Sequence, residues 1–537
     1  MAIKPSYAAI ADQKKEQRED RIPKQWRLPK GFKPGEHVLD VPNTCGILTA
    51  REIEITGETD AVDILQKIRN RMYTSEETVR AFCKRAAIAQ QASNCLTEIL
   101  FEEAIDRAKT LDIEQAADSD VPLRPLHGLP VSLKDCFRVP GYDSTTGIMC
   151  WANAPDSEYS ALPQLLLDLG AVLFCKTNVP QTMMTADTDN NLFGRTLNPA
   201  NASLTAGGSS GGEGALIAMR GSILGVGTDI AGSIRIPSVC NGIYGFRPSA
   251  SLLPYGGQRS PAPAGLPGIQ PVVGPMATSL RACEIFMKTI IEAQPWKYDS
   301  TCLHVPWRNI IPTKRLRVGL IPDDGLFTPW PPVRRTILES ASKLERAGVE
   351  IVHLRLPEIP KALETTFRLY ALDGCRYVQD LLERTGEPLV ESVKRVNLAG
   401  IPHASLEEYR EMATFRAHIQ RTYQKIWLDN ELDAFLLPGA STTATPLDEW
   451  GPVTYTALWN FVGYPAMILP TGMIRPSDGA DELENAKYGK HDQNNYSLYT
   501  GPEDFARAPL CIQVVGMRQE DEQLLSVAAI IDKILRD

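Results

Sequence analysis

Residues 206–248 read AGGSSGGEGALIAMRGSILGVGTDIAGSIRIPSVCNGIYGFRP, and two features set this stretch apart. A Gly/Ser run, Gly207 to Gly212, leads into an apolar helical pattern. Strand-like SILGVG then runs into the small-residue turn GTDIAGSIR. Residues this small let the backbone approach a ligand closely and leave amide N–H groups free to point at it. Glu213 stands near the helix start, where the helix dipole favours a carboxylate.

Strand and helix signals alternate on both sides of this stretch. GLPVSLKDCF (128–137) reads as a strand, with Leu129, Val131 and Leu133 on one face and Ser132 and Lys134 on the other. ALPQLLLDLG (161–170) reads as a helix closed by Gly170, followed by the strand AVLFC. RLRVGLI (315–321), VRRTILESASKLERAG (333–348) and VEIVHL (349–354) form a strand–helix–strand unit turning at Pro322–Gly325. Thr74 and Glu77 have capping-box spacing ahead of Val79, Phe82, Cys83 and Ala86. The pattern predicts an α/β fold, one large domain with helices covering a central mixed sheet. Residues 1–60 are polar and proline-dotted and read as an N-terminal arm, helical signals starting near 61. Residues 360–430 are richer in helix signals, and 476–495 are polar enough for a mobile loop.

Composition narrows the setting. Of 537 residues, 43% are apolar and 23% charged, which excludes disorder over the whole length. The net charge of −9 disfavours nucleic acid as a partner. Eleven cysteines, with no C-x-x-C pair, read as buried thiols in a reducing cytoplasm and not as a metal site. No apolar run reaches the ~18 residues of a membrane span.

The Gly/Ser run admits four readings. Gly/Ser runs are ordinarily turns. Phosphate cradling lacks the G-K-[ST] and G-x-G-x-x-G patterns. GSSGG (208–212) formally matches a nucleophile elbow centred on Ser210, but no buried strand precedes it, and only His491 follows as a histidine beyond 418. The fourth reading is a serine hydrolase with a lysine base, natural in a chain with seven histidines. Lys134 lies in an apolar run, where desolvation disfavours its charged form. Lys176, after AVLFC, meets the same criterion.

The 206–248 stretch resembles the signature of the amidase signature family. PLHGLPVSLKD (125–135), FCKTNVPQTM (174–183), LWNFVGYPAMILPTG (458–472) and PLCIQVVGMRQEDEQLLSVA (509–528) resemble further family landmarks in order, from about residue 61 to the end. AFCKRAAIAQQASNC (81–95) and AQPWKYDS (293–300) are most similar to the fungal acetamidase and general amidase group. The resemblance implies a Ser–Ser–Lys triad: Ser233 as nucleophile, Ser209 as bridge after a cis Gly208–Ser209 bond, and Lys134, not Lys176, as base. It implies an oxyanion turn of Ile230, Ala231, Gly232 and Ser233 N–H groups. Ala231, where the family often has glycine, is strained if the turn needs a positive φ there. Met183 is expected at the substrate site, Ser210 on nearby backbone or Lys134, and Asp229 with Arg235 as a buried pair. Trp459 and Phe461 read as core. The implied reaction is hydrolysis of a small-molecule carboxamide through an acyl-enzyme, without metal or organic cofactor, in a possible homodimer. An amidotransferase A-type subunit, or a fatty-acid-amide, aryl-acyl amide, carbamate or ester hydrolase, are the alternatives.

Overall fold

The computed structural model describes residues 6–35, 37–117, 122–311, 315–451 and 453–537. Eleven strands among them form one mixed sheet. They are β1 Leu96–Ile99, β2 Pro130–Lys134, β3 Val172–Thr177, β4 Leu224–Asp229, β5 Tyr244–Arg247, β6 Val272–Ala277, β7 Arg317–Leu320, β8 Glu350–His353, β9 Ala434–Pro438, β10 Ala466–Met473 and β11 Pro509–Val515. Their spatial order is β1-β3-β2-β4-β6-β5-β10-β11-β9-β7-β8. β2 runs parallel to β3 and β4, and β7 runs parallel to β8 and β9. The remaining pairs, such as β4 with β6 and β10 with β11, are antiparallel.

Helices cover both faces, so most strands are buried on both sides. Alternate residues divide between two cores, as period-2 geometry requires. Leu133, Leu173, Val226, Leu436, Leu469 and Val514 pack in one cluster with the helices Ala61–Arg69, Leu280–Glu292, Pro331–Arg346 and Asp521–Arg536. On the other face, Val172 and Phe174 pack with Phe101–Ala117 and Gly211–Ala218. Phe435, Leu437 and Val515 pack there with Ile359–Tyr370, Leu406–Asp429 and Thr454–Val462. The strand expected at 128–137 is therefore shorter, and the face carrying Ser132 and Lys134 is as buried as the apolar one.

Two segments differ from expectation. Helix starts well before residue 61, at Tyr7–Asp20, and recurs at Ala50–Gly57. The first of these has no apolar stripe to read. It docks through Lys14 on Glu98 and Asp143, at 2.6 and 2.8 Å, and through Arg18 on the Leu96 carbonyl. The 476–495 segment is not a free loop. Some of its polar residues are buried: Asp492 accepts from the Thr328 N–H and hydroxyl, both at 2.7 Å, and Asp478 binds Arg335. Its end forms the helix Lys490–Tyr496.

Candidate active site

Parallel pairing brings the C-terminal ends of β2, β3 and β4 to one edge of the sheet, where ligand crevices form in α/β folds. Lys134 ends β2 and Asp229 ends β4. Lys134 is fully buried, and its Nζ donates to Ser209 Oγ at 2.7 Å and to Thr228 Oγ1 at 2.9 Å. Burial pushes its pKa from the ordinary 10.5 down to about 8, since desolvation penalises the ammonium and the surrounding charges only partly offset this.

Ser209 precedes the helix Gly211–Ala218 and follows a cis Gly208–Ser209 peptide. The glycines are needed for close packing. A Cβ on Gly208 would meet the Thr185 carbonyl at 2.7 Å, and one on Gly212 the Asn178 N at 2.3 Å. The Ser210 N–H donates to the Ser233 carbonyl at 3.1 Å, and the Ser210 hydroxyl reaches the Thr228 carbonyl at 3.5 Å. The two small-residue features of the sequence thus meet.

Asp229 organises the turn that follows β4. Its carboxylate accepts from the N–H groups of Gly232 and Ile234, at 2.9 and 3.2 Å. It also takes both Nε and Nη2 of Arg235 at 3.0 Å and Asn460 Nδ2 at 2.9 Å. Burial alone would raise this carboxyl, but the Arg235 charge and hydrogen bonds hold it at about 2. Arg235 in turn binds the Thr456 carbonyl and Gln513. The pair is wholly buried, as expected.

Two details of the turn bear on these expectations. The left-handed backbone falls on Gly232, φ +135°, and not on Ala231, so alanine at 231 carries no such strain. A Cβ on Gly232 would stand 2.3 Å from Thr456 Oγ1. The Gly232 N–H, expected among the oxyanion donors, donates here to the Asp229 carboxylate at 2.9 Å. Ile230, Ala231 and Ser233 line the cavity beside this turn, whereas Gly232 is not among its lining residues. Their carbonyls are also held: Ile230 by Tyr370 Oη and Ala231 by Thr456 Oγ1, at 2.5 and 2.6 Å.

That cavity has a volume of about 240 Å³ and opens onto Ser233, Gly208 and Met183. Phe367, Tyr370, Val396, Leu398 and Trp450 wall it on the far side. A second, largely apolar cavity of about 370 Å³ shares Met184, Tyr370, Val396 and Leu398 with it. Lys176 lies elsewhere, donating to Ser144 Oγ at 2.7 Å and to the Asp143 carbonyl. Trp459 stacks on Phe435 in the core, and neither it nor Phe461 lines the cavity. Glu213 is buried against Ser132 and Thr177, and desolvation raises its carboxyl to about 7.

The sequence reading missed Thr228, Tyr370, Thr456, Asn460 and Gln513. Asn460 and Gln513 were findable as lone polar residues inside the apolar runs LWNFV and CIQVV. Tyr370 and the wall residues near 396 carry no such mark.

A model of the Amidase family matches residues 77–525. An amidase of Gibberella moniliformis is 37% identical over 544 residues, 99% of each chain. An acetamidase of Aspergillus oryzae is 35% identical over 546 residues, again 99% of each. Among solved structures, a fatty acid amide hydrolase superposes with a TM-score of 0.94 at 32% identity, covering 98% of this chain and 95% of that one. A bacterial aryl acylamidase at 22% identity and a TM-score of 0.73 shares the fold. With its α/β architecture and signature residues in one buried site, the chain belongs to the amidase signature family and is a hydrolase acting on amide bonds.

Proposed function

We propose that the chain hydrolyses carboxamides through an acyl-enzyme on Ser233, with Ser209 as bridge and Lys134 as base. The observation that carries this is the 2.7 Å contact of fully buried Lys134 with Ser209, beside a cavity that Ser233 lines. A serine hydroxyl attacks only as its proton leaves, and a neutral amine is a competent acceptor. Neutral Lys134 takes a proton from Ser209, Ser209 takes one from Ser233, and Ser233 Oγ bonds to the amide carbon. The carbonyl electrons move to oxygen, facing the Ile230, Ala231 and Ser233 N–H groups. When the C–N bond breaks, Ser209 passes a proton to the leaving nitrogen and recovers one from Lys134. Water then cleaves the acyl ester by the same relay, releasing carboxylate and restoring Ser233.

The paired cavities favour an extended or aryl acyl group over acetamide alone. The apolar walls at Met184, Val396 and Leu398, which the two cavities share, suit such a chain, while Arg395 lines the first cavity and Asp373 and Lys394 the second. The eleven free thiols suit a reducing, cytoplasmic setting. No helix among the described residues is long and apolar enough to cross a membrane.

A fluorophosphonate probe with intact-mass readout, beside an amide panel scored by released ammonia or amine, tests the mechanism. One adduct per chain is expected, absent in Ser233→Ala. Full hydrolysis by folded Ser233→Ala protein refutes it, and a marked preference for glutamine favours the amidotransferase reading.

A further inference from the structure

Away from the catalytic cavity, two arginines line a third cavity of about 480 Å³. Arg416 stands on the helix Leu406–Asp429, half-buried. Its Nε donates to the Phe461 carbonyl at 2.5 Å and its Nη1 to the Gly268 carbonyl at 3.0 Å. The Phe461 carbonyl is one of the unpaired acceptors at the C-terminal end of the helix Thr454–Val462, so Arg416 caps that end. Such carbonyls bear only a fraction of a negative charge. Arg518 follows β11 on an exposed turn and has no hydrogen-bond or ion-pair partner among the described residues.

The remaining polar wall is Gln270, Tyr409, Gln420 and the backbone at Gly268. Among the described residues, no aspartate or glutamate lines this cavity. By contrast, Arg195 meets Asp187, Asp189 and Asp448, and Arg335 meets Asp478. Burial lowers the Arg416 pKa, and the Arg518 charge lowers it further. The two cations repel, and an anion between them would turn that repulsion into two attractions.

We infer that this cavity binds a small oxyanion, a phosphate or carboxylate group, between the guanidinium groups of Arg416 and Arg518. The unpartnered guanidinium fork of Arg518 matches the oxygen spacing of both groups, Arg416 keeps its Nη2 to donate, and Tyr409 lines the same wall, while Gln420 already donates to the Val462 carbonyl at 3.1 Å. The site has no wall residue in common with the catalytic cavity. Its link to the nucleophile turn runs through the helix Thr454–Val462. Arg416 caps one end of that helix, while its Thr456 and Asn460 hold Ala231 and Asp229.

Isothermal titration of the full chain with inorganic phosphate tests this, at an ionic strength held constant with chloride. A second arm uses succinate. One saturable site per chain is expected in at least one arm, and the arm that responds names the oxyanion. Arg518→Ala, at an exposed position, is expected to weaken binding by about tenfold or more, the loss of a charge-assisted hydrogen bond. Arg416→Ala is expected to do the same, and Arg518→Ala alone decides if loss of the helix cap unfolds that variant. No saturable heat in either arm, or binding by Arg518→Ala as tight as the parent's, overturns the inference.

Discussion

Acidification is the sharpest perturbation of this site, because one buried amine governs the proposed relay. Lys134 has a pKa near 8, lowered chiefly by desolvation. Only its neutral form accepts a proton, so activity rises with pH through that value and falls below it. At pH 8 about half of the enzyme is competent, and at pH 6 about 1%, so kcat/KM should drop about fifty-fold across that span. Below pH 7 the logarithmic slope should approach one. Glu213, at about 7, is the other buried group titrating nearby, and its charge raises the Lys134 pKa. Glu213→Gln should therefore move the midpoint to lower pH while leaving a single limb. The assay is kcat/KM from pH 5.5 to 9.5 on an uncharged amide, with folding checked by circular dichroism at each pH. A profile flat between pH 6 and 8 in the parent protein refutes a lysine base.

Other consequences follow from the same geometry. Asp229→Asn leaves Arg235 charged and buried, and should cost about 3–5 kcal/mol in urea unfolding at pH 7. Because the folded pKa of Asp229 lies below its ordinary 3.8, its contribution is fully present above 3.8 and is lost as pH falls through about 2. A shallower acid limb in the Asn variant's stability curve checks this. Gly232→Ala forces a Cβ to within 2.3 Å of Thr456 Oγ1 at a φ of +135°, and should cut kcat/KM at least tenfold, with partial recovery in a Gly232→Ala, Thr456→Ala double variant, which removes that oxygen, if only the contact matters. Met184→Trp should narrow the passage shared by the two cavities, raising KM for long-chain amides while sparing acetamide. Equal effects on both substrates would count against an acyl passage there.

The readable part of this molecule was local. Alternating apolar residues and glycine turns marked β2, β3, β7 and the helix between β7 and β8, because side-chain period and turn chemistry are properties of short segments. The helix Tyr7–Asp20 was invisible for the converse reason: ion pairs to Glu98 and Asp143, 84 residues or more away, hold it, and no apolar stripe announces it. The 476–495 segment misled in the same way. Its acids and amides looked solvated, yet Asp492 and Asp478 are spent on Thr328 and Arg335.

The lysines show most clearly where sequence stops. Lys134 and Lys176 both end apolar strand runs, and their patterns treat them alike. Sheet register separates them. Leu133 pairs with Lys176, and Lys134 pairs with Thr177. Paired residues share a face, so a one-residue offset sends the two amines to opposite sides of the sheet. Lys134 meets Ser209 and Thr228, and Lys176 meets Ser144. Within the chain, then, residue pattern determined the fold class and the two small-residue segments that form the site. Residue pattern left the lysine open and the family resemblance named Lys134, while tertiary structure supplied the physical reason for that choice and decided which N–H the turn withholds at Gly232 and which distant helices wall the pocket. Those outcomes depend on pairing register, on the conformation of the turn and on packing between segments far apart in the chain, which no local pattern encodes.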